Sequence, residues 1–240
     1  SSCAAQAASL TVSKTIVMLG QTPFAILTYA SEEDGQIYYH PHADETTALE
    51  ALKIIVKKNG GEVITLSNHK RRLITFKLDQ KYYVFDPNRI YTSAGIHRTL
   101  RKYGPYSDTA FRAVKHFAKV ITAMLPRKLI ITAHNNTPHH YSSARYCSGH
   151  KLSRDASRVS RNLKLDPDDF IYVTTLGLYK KLKPYKFNLV LQSAKTVIDD
   201  GSLSVYALYR NIPYVNVEAG YGHLSKQLKM LNAVNKISKD

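Results

Sequence analysis

The pattern of apolar and polar positions predicts strands that alternate with helices along most of the chain. Short β-branched and aromatic runs, typical of strands, fall at 15–19, 24–29, 37–39, 62–66, 73–78, 82–85, 128–133, 170–173, 187–191 and 214–217. Apolar residues at helical spacing predict helices over 46–58, 111–125, 176–182, 202–210 and 223–237. This alternation predicts an α/β fold: a three-layer sandwich in which helices flank a mixed, mainly parallel sheet.

Two segments stand out from this alternation. The apolar segment 128–133 predicts a strand that helices bury on both faces. The segment 139–160, rich in His, Ser, Arg and Tyr, predicts a long functional loop. We therefore expect a single catalytic domain over residues 13–240, in which loops at the ends of buried strands carry the chemistry.

The chain is strongly basic, with 34 Lys and Arg against 18 Asp and Glu and a formal net charge of +16. This balance favours anionic surroundings, such as an anionic cell envelope or acidic substrates. The basic residues are scattered and are not interleaved with aromatics, so no nucleic-acid partner is expected. No apolar run approaches the roughly 20 residues of a membrane span, so no transmembrane segment is predicted.

The first residues are small, and Ala5-Gln6-Ala7 is similar to the end of an export signal. We therefore expect residues 1–12 to be a signal remnant or a flexible N-terminus of an exported protein, either periplasmic or secreted. Cys3 could attach a lipid, pair with Cys147 in a disulfide, or belong to the signal remnant. Two cysteines do not decide between these roles.

Four stretches place polar, reactive residues where a predicted strand ends. In open α/β sheets, ligands bind outside the carboxyl ends of the strands. The stretches are His42-Ala-Asp-Glu45, Asp86-Pro-Asn-Arg89, Ala133-His-Asn-Asn136 and Asn216-Val-Glu218.

His42, Glu45 and His134 form a His₂Glu set, which is a common ligand set of catalytic zinc. Each residue also has an ordinary interpretation. Glu45 suits the first turn of a helix because of the helix dipole, His42 is then a polar loop residue, and His134 a hydrogen-bonded core histidine. Together they predict a Zn²⁺ site.

Asn88, Arg89 and Glu218 could complete an active site. An arginine beside an amide suits recognition of a substrate carboxylate, although Asp-Pro-Asn is also strong turn chemistry. Glu218 could take a proton from water and pass it to a leaving group. It could also be a strand-end glutamate that pairs with a lysine.

The order of these motifs resembles the M14 metallocarboxypeptidases and their deacylase relatives, succinylglutamate desuccinylase and aspartoacylase. The resemblance covers residues 24–224 and implies a metallocarboxypeptidase-like fold. It implies that His42, Glu45 and His134 bind zinc, that Asn88 and Arg89 hold the substrate carboxylate, and that Glu218 activates water. An arginine that polarises the scissile carbonyl would be Arg71 or Arg72.

Some features depart from the family pattern. The interval from Glu45 to Arg89 is short, as in the compact deacylases, and Pro87 replaces a larger apolar residue. The tyrosine that the peptidases use in a catalytic loop has no recognisable motif here. Its candidates are Tyr141, Tyr206 and Tyr209.

The predicted function is that of a zinc-dependent hydrolase which cleaves an amide bond next to a free carboxylate. The first candidate is a carboxypeptidase acting on peptides, including peptidoglycan stem peptides. One alternative is an N-deacylase of the aspartoacylase type, or a deacetylase of the LmbE-like group, whose His-Pro-Asp-Asp-Glu signature resembles residues 40–45. A non-enzymatic alternative is a basic domain that binds the cell envelope or nucleic acid.

Overall fold

The computed structural model describes residues 9–239. The strands are β1 Thr11–Leu19, β2 Thr22–Ala30, β3 Ile37–His40, β4 Glu62–Ser67, β5 Ile74–Leu78, β6 Lys81–Phe85, β7 Ile130–Asn136, β8 Ala156–Ser160, β9 Phe170–Val173, β10 Asn188–Gln192 and β11 Tyr214–Gly220. The helices are α1 Thr46–Asn59, α2 Ser93–Tyr103, α3 Asp108–Met124, α4 Leu176–Leu182, α5 Leu203–Tyr209 and α6 Leu224–Ile237. None of the helices in this range is both long and apolar enough to cross a membrane.

Nine of the strands form one mixed sheet in the order β1-β2-β4-β3-β7-β11-β9-β10-β8. Its central block, β4-β3-β7-β11, is parallel, and both flanks contain antiparallel pairs. The strands β5 and β6 form a separate antiparallel hairpin. The structure therefore confirms the predicted α/β fold with a mixed sheet.

Helices cover both faces of the sheet, which gives the predicted three layers. Apolar residues of α1, α4 and α6 pack on one face. Apolar residues of α2, α3, α5 and the β5–β6 hairpin pack on the other face. Every residue of β7 is buried, as expected for a strand covered by helices on both sides.

Alternation along the strands decides which side chains meet. Ile131 and Ala133 of β7 face the α1/α6 layer, so Thr132, His134 and Asn136 face the layer of the hairpin. β11 is parallel to β7, with Glu218 in register with His134. The two side chains therefore lie on the same face of the sheet, at the carboxyl ends of adjacent strands.

Two elements were not predicted from the sequence. Helix α2 has only two large buried apolar residues, Ile96 and Leu100, so its sequence shows little of the apolar spacing that predicts a helix. The predicted loop 139–160 contains two short 3₁₀ turns and the edge strand β8, whose sequence Ala-Ser-Arg-Val-Ser is mostly polar. Both elements gain stability from their position in the fold more than from their own pattern.

The N-terminal predictions concern residues that are only partly described. Residues 1–8, including Cys3, lie outside the described range, whereas Thr11 and Val12 already belong to β1. The export signal, the roles of Cys3 and the boundary at residue 12 stay predictions.

Candidate metal centre and active site

His42, Glu45 and His134 meet beneath the carboxyl ends of the central strands. Their side-chain ligand atoms all lie within 4.8 Å of one another. The three residues are 1%, 3% and 5% exposed. Burying three ionisable groups together is costly unless they compensate one another or hold a common ion. The sequence-predicted ligand set is therefore one cluster in space.

The parallel order β3–β7 explains how residues 92 positions apart come together. His42 follows the end of β3, and Glu45 directly precedes α1. His40 fixes this connection, because its Nε2 lies 2.9 Å from the Glu45 carbonyl oxygen and its Nδ1 lies 2.8 Å from Thr65 Oγ1. Burial lowers the pKa of His40 to about 4, so its ring is neutral and acts as a structural hydrogen-bonding group.

Asp86 determines which nitrogen of His42 faces the cluster. His42 Nε2 lies 2.7 Å from Asp86 Oδ1, which leaves Nδ1 directed at Glu45 Oε1 at 2.9 Å. The same Nδ1 lies 3.3 Å from His134 Nδ1, and His134 Nδ1 lies 3.0 Å from Glu45 Oε2. Two imidazole nitrogens and a carboxylate therefore converge on one point.

This donor set fits Zn²⁺. Two imidazole nitrogens and one carboxylate are the ligands of many catalytic zinc sites, which keep a further position open. A metal-ligating histidine usually donates its second N–H to a carboxylate, which is the geometry of His42 and Asp86. The residues present therefore fit the ion that the sequence predicted, and His42, Glu45 and His134 would be its protein ligands.

The two histidines favour the ionised form of Glu45. Burial would raise the pKa of Glu45, but His42 and His134 hold it well below its usual range. Burial would lower the pKa of His42, but Glu45 and Asp86 raise it to about 9. Because a metal ion must displace the proton on His42, zinc affinity is expected to fall as the pH is lowered.

Asp86 has a pH-dependent effect on stability. Burial would raise its pKa, but His42, Arg72 and Arg89 hold it below the usual range. A depressed folded-state pKa stabilises the protein above the unfolded pKa of about 3.9, and the stabilisation is lost as the pH falls through the folded value.

We expect Asp86→Asn to lower the free energy of unfolding by about 1–3 kcal/mol near pH 6, and by less near pH 3. Urea unfolding at both pH values, in the presence of a chelator, measures the difference. Asp79→Asn, at the exposed turn of the β5–β6 hairpin, is the matched control. Zinc affinity is expected to fall about 10- to 100-fold in Asp86→Asn. A destabilisation that is the same at both pH values would contradict the proposed ionisation.

Of the two candidate arginines, Arg72 lies at the cluster. Its Nη1 donates to Glu45 Oε1 at 2.8 Å, and its Nε lies 3.6 Å from Asp86 Oδ2. Arg71 is exposed in the turn after β4 and does not line the cavity. The geometry therefore favours Arg72 over Arg71 as the arginine that would polarise the scissile carbonyl.

Asn88 and Arg89 line the same cavity, directly after β6. Asn88 Oδ1 accepts a hydrogen bond from the Leu203 amide at 3.2 Å, which fixes the side chain beside the start of α5. Arg89 Nη1 donates to the Asn88 carbonyl oxygen at 2.8 Å and lies 3.5 Å from Asp200 Oδ2. The Arg89 side chain is 39% exposed, so its guanidinium keeps donors for a ligand.

Glu218 lies in the cavity between two asparagines. Asn216 Nδ2 donates to Glu218 Oε2 at 2.9 Å, and Asn136 Nδ2 lies 3.3 Å from Oε1. Burial raises the pKa of Glu218, and the negative charge of nearby Glu45 raises it further. His134 and the amides of Asn216 and Asn136 lower it, but the net shift is upward. A buried carboxylate that is oriented on both oxygens suits proton transfer.

A cavity of about 600 Å³ joins these residues. Its inner wall is rich in tyrosine. The lining tyrosines are Tyr141, Tyr146, Tyr172, Tyr214 and Tyr221. Among the tyrosine candidates from the sequence, Tyr141 lines the cavity, while Tyr206 and Tyr209 belong to α5 and do not.

Several supporting residues were not identified from the sequence. Gln227 of α6 is fully buried, and its Nε2 donates to the carbonyl oxygens of His134 and Val217 at 2.9 and 3.1 Å. Its Oε1 accepts from Asn135 Nδ2 at 3.0 Å, and the Asn135 amide donates to Glu45 Oε2 at 3.1 Å. Asn135, Asn136 and Asn216 lie in the predicted strand-end stretches, and this position was the only sequence feature that pointed to a role in the site.

No protein-family model matches the sequence, and no curated protein matches it. Similar solved structures include a putative metallopeptidase from Shewanella amazonensis SB2B, at 13% identity and a TM-score of 0.45, over 95% of this chain and 86% of that one. An aspartoacylase family protein from Mesorhizobium loti is 9% identical, with a TM-score of 0.47, over 94% of this chain and 66% of its own length. The murein-tripeptide amidase MpaA from Escherichia coli O157 is 12% identical, with a TM-score of 0.41, over 92% of this chain and 90% of its own length.

These three solved structures are similar to this chain in the arrangement of their elements alone. At identities of 9–13% and TM-scores below 0.5, they do not assign an activity to this chain. The function therefore has to be inferred from the residues of the site.

Proposed function

We propose that this protein is a zinc-dependent hydrolase that cleaves an amide bond next to a free carboxylate. The convergence of His42 Nδ1, His134 Nδ1 and the Glu45 carboxylate supports this proposal most strongly. Glu218 and Arg89 line the same cavity, so a proton-transfer group and a carboxylate-binding group face the proposed metal ligands.

In the proposed mechanism, Arg89 and Asn88 bind the terminal carboxylate of the substrate and place the neighbouring amide by the cluster. Zinc held by His42, Glu45 and His134 would supply a Lewis acid that activates water towards the carbonyl. Glu218 would take the proton from the attacking water and deliver it to the leaving nitrogen. Arg72 would help to stabilise the developing negative charge on the carbonyl oxygen.

The site suits both peptides and acyl-amino acids, and we propose a carboxypeptidase acting on peptides. A cavity of about 600 Å³ has room for more than one residue. Peptidoglycan stem peptides, which end in a free carboxylate, are candidate substrates. Such substrates would require the protein to be exported, and we propose a periplasmic or secreted location. The principal alternative is an N-deacylase, which would act on acyl-amino acids in the same orientation.

A substrate panel with zinc-loaded protein tests this proposal. It contains blocked dipeptides, muropeptides and N-acyl amino acids, each as the free acid and as the C-terminal amide. Hydrolysis of the free acids, with little hydrolysis of the amides, is the expected result. Release of a terminal residue supports the carboxypeptidase, and turnover of acyl-amino acids alone supports the deacylase. A protein that binds zinc and hydrolyses neither class would contradict the proposed function.

Arg89→Ala is expected to raise KM about 10- to 100-fold, because hydrogen bonds to a charged group contribute about 1.5–3 kcal/mol. kcat should change less, since Arg89 holds a part of the substrate that does not react. Steady-state kinetics on a hydrolysed free acid give both constants, and Arg127→Ala, exposed and outside the cavity, is the matched control. An unchanged KM in Arg89→Ala would argue against the assigned role.

A further inference from the structure

A second cavity, of about 670 Å³, lies beside the active site. Its walls come from the segment 162–169, the segment 185–187, the turn after β11 and the first turns of α6. Tyr221 lines the active-site cavity, whereas Gly222 and His223 line the second one. The two cavities therefore border the same short turn, and the proposed hydrolase does not use the second.

This second cavity is positively charged. Four lysines line it: Lys164, Lys186, Lys226 and Lys229. Within residues 9–239, none of them forms an ion pair within 4.0 Å. The two lining acids are hydrogen-bonded to backbone amides: Asp166 Oδ1 accepts from the Asp168 amide at 2.9 Å, and Asp169 Oδ1 accepts from the Gly220 amide at 2.9 Å. The ammonium groups therefore remain available to an anionic ligand.

His223 adds an oriented polar group to this wall. Its Nδ1 lies 2.8 Å from Asp169 Oδ1, and Asp169 is buried. Its ring lies against Gly220, where a Cβ atom would approach ring atoms to 2.6 Å. Glycine at position 220 thus leaves room for the ring to reach Asp169, and within residues 9–239 the other ring nitrogen, Nε2, forms no hydrogen bond.

An aromatic pair forms another part of the wall. The rings of Tyr185 and Phe187 are nearly parallel, with an interplanar angle of 3° and centroids 6.3 Å apart. Tyr185 is 37% exposed. A planar, partly exposed ring beside a group of cations can stack on a flat ring of a ligand.

We propose that this cavity binds a small phosphorylated ligand that carries a planar ring, the chemistry of a nucleoside polyphosphate. The lysines bind the phosphate oxygens, which accept charge-assisted hydrogen bonds. Tyr185 stacks on the ring. The binding site is separate from the zinc cluster, so the proposal does not depend on the hydrolase activity.

Calorimetric titration with ADP, in buffer without divalent cations, tests the proposal. Wild-type protein is expected to show saturable binding. The double variant Lys226→Ala/Lys229→Ala should bind at least about tenfold more weakly, because charge-assisted hydrogen bonds to the phosphate are lost. Lys57→Ala/Lys58→Ala removes the same charge from exposed positions of α1 and should leave the affinity nearly unchanged. Circular dichroism and thermal melting verify that both variants fold.

Pyrophosphate and adenosine separate the two parts of the ligand, and both should bind more weakly than ADP. Tyr185→Ala should weaken ADP binding and leave pyrophosphate binding unchanged. The proposal is overturned if wild-type protein shows no saturable ADP binding at millimolar concentration, or if the two lysine variants lose affinity equally. Loss of ADP binding in Arg89→Ala, with full binding in Lys226→Ala/Lys229→Ala, would place the anion in the active-site cavity and would also overturn it.

Discussion

His134→Ala is expected to reduce bound zinc from about one equivalent per chain to almost none, and to abolish hydrolysis with it. The imidazole supplies one of three protein ligands, and its Nδ1 lies 3.3 Å from His42 Nδ1 and 3.0 Å from Glu45 Oε2. With two ligands left, the buried Glu45 loses a partner that holds its pKa down. Metal analysis of the purified protein after dialysis against zinc measures the effect.

The matched control for this variant is His140→Ala. His140 lines the same cavity, but it is exposed and does not belong to the ligand cluster. Its removal should leave the zinc content near one equivalent. Equal zinc content in the two variants would show that the cluster is not the metal site. Thermal melting of metal-free protein separates loss of the ligand from loss of the fold.

Glu218→Gln is expected to lower kcat about 10²- to 10⁴-fold, the usual contribution of general acid–base catalysis, with zinc binding retained. Glutamine keeps the size of the side chain and one acceptor oxygen for Asn216 or Asn136. It cannot accept the proton from water. Single-turnover hydrolysis and metal content, measured on the same preparation, distinguish the loss of proton transfer from the loss of the ion.

Glu50→Gln, at an exposed position of α1, makes the same chemical change away from the cavity. Its kcat is expected to match that of the wild type. A Glu218→Gln variant with wild-type kcat would remove Glu218 from the mechanism and leave the zinc proposal intact. Loss of zinc together with kcat would indicate that Glu218 supports the metal cluster instead.

Much of the fold was predictable because the strands have strong local patterns. The segments 128–133 and 214–217 are apolar, and they correspond to the buried central strands β7 and β11. The position of polar residues at strand ends then indicated His42, Glu45, His134 and Glu218. Parallel neighbours bring such ends together, which is why the residues meet in space as the sequence predicted.

Other parts of the site depend on tertiary geometry that no local pattern encodes. Asp86 had no predicted role of its own beyond possible turn chemistry, and its contact with His42 Nε2 depends on how the β5–β6 hairpin folds over the sheet. The choice between Arg71 and Arg72 depends on one turn after β4, where adjacent residues point in different directions. Gln227 lies in a helix that is predictable from its pattern, but only packing buries its amide beneath His134.

The position of Gln227 also bears on the order in which the site is completed during synthesis. His42, Glu45 and His134 have all been synthesised once residue 134 has been added, well before α6 exists. The amide that holds the His134 carbonyl and links β7 to β11 arrives with α6, about 90 residues later. A nascent chain would therefore carry all three proposed zinc ligands for about 90 residues of synthesis before α6 docks, and firm metal loading is expected only after that docking.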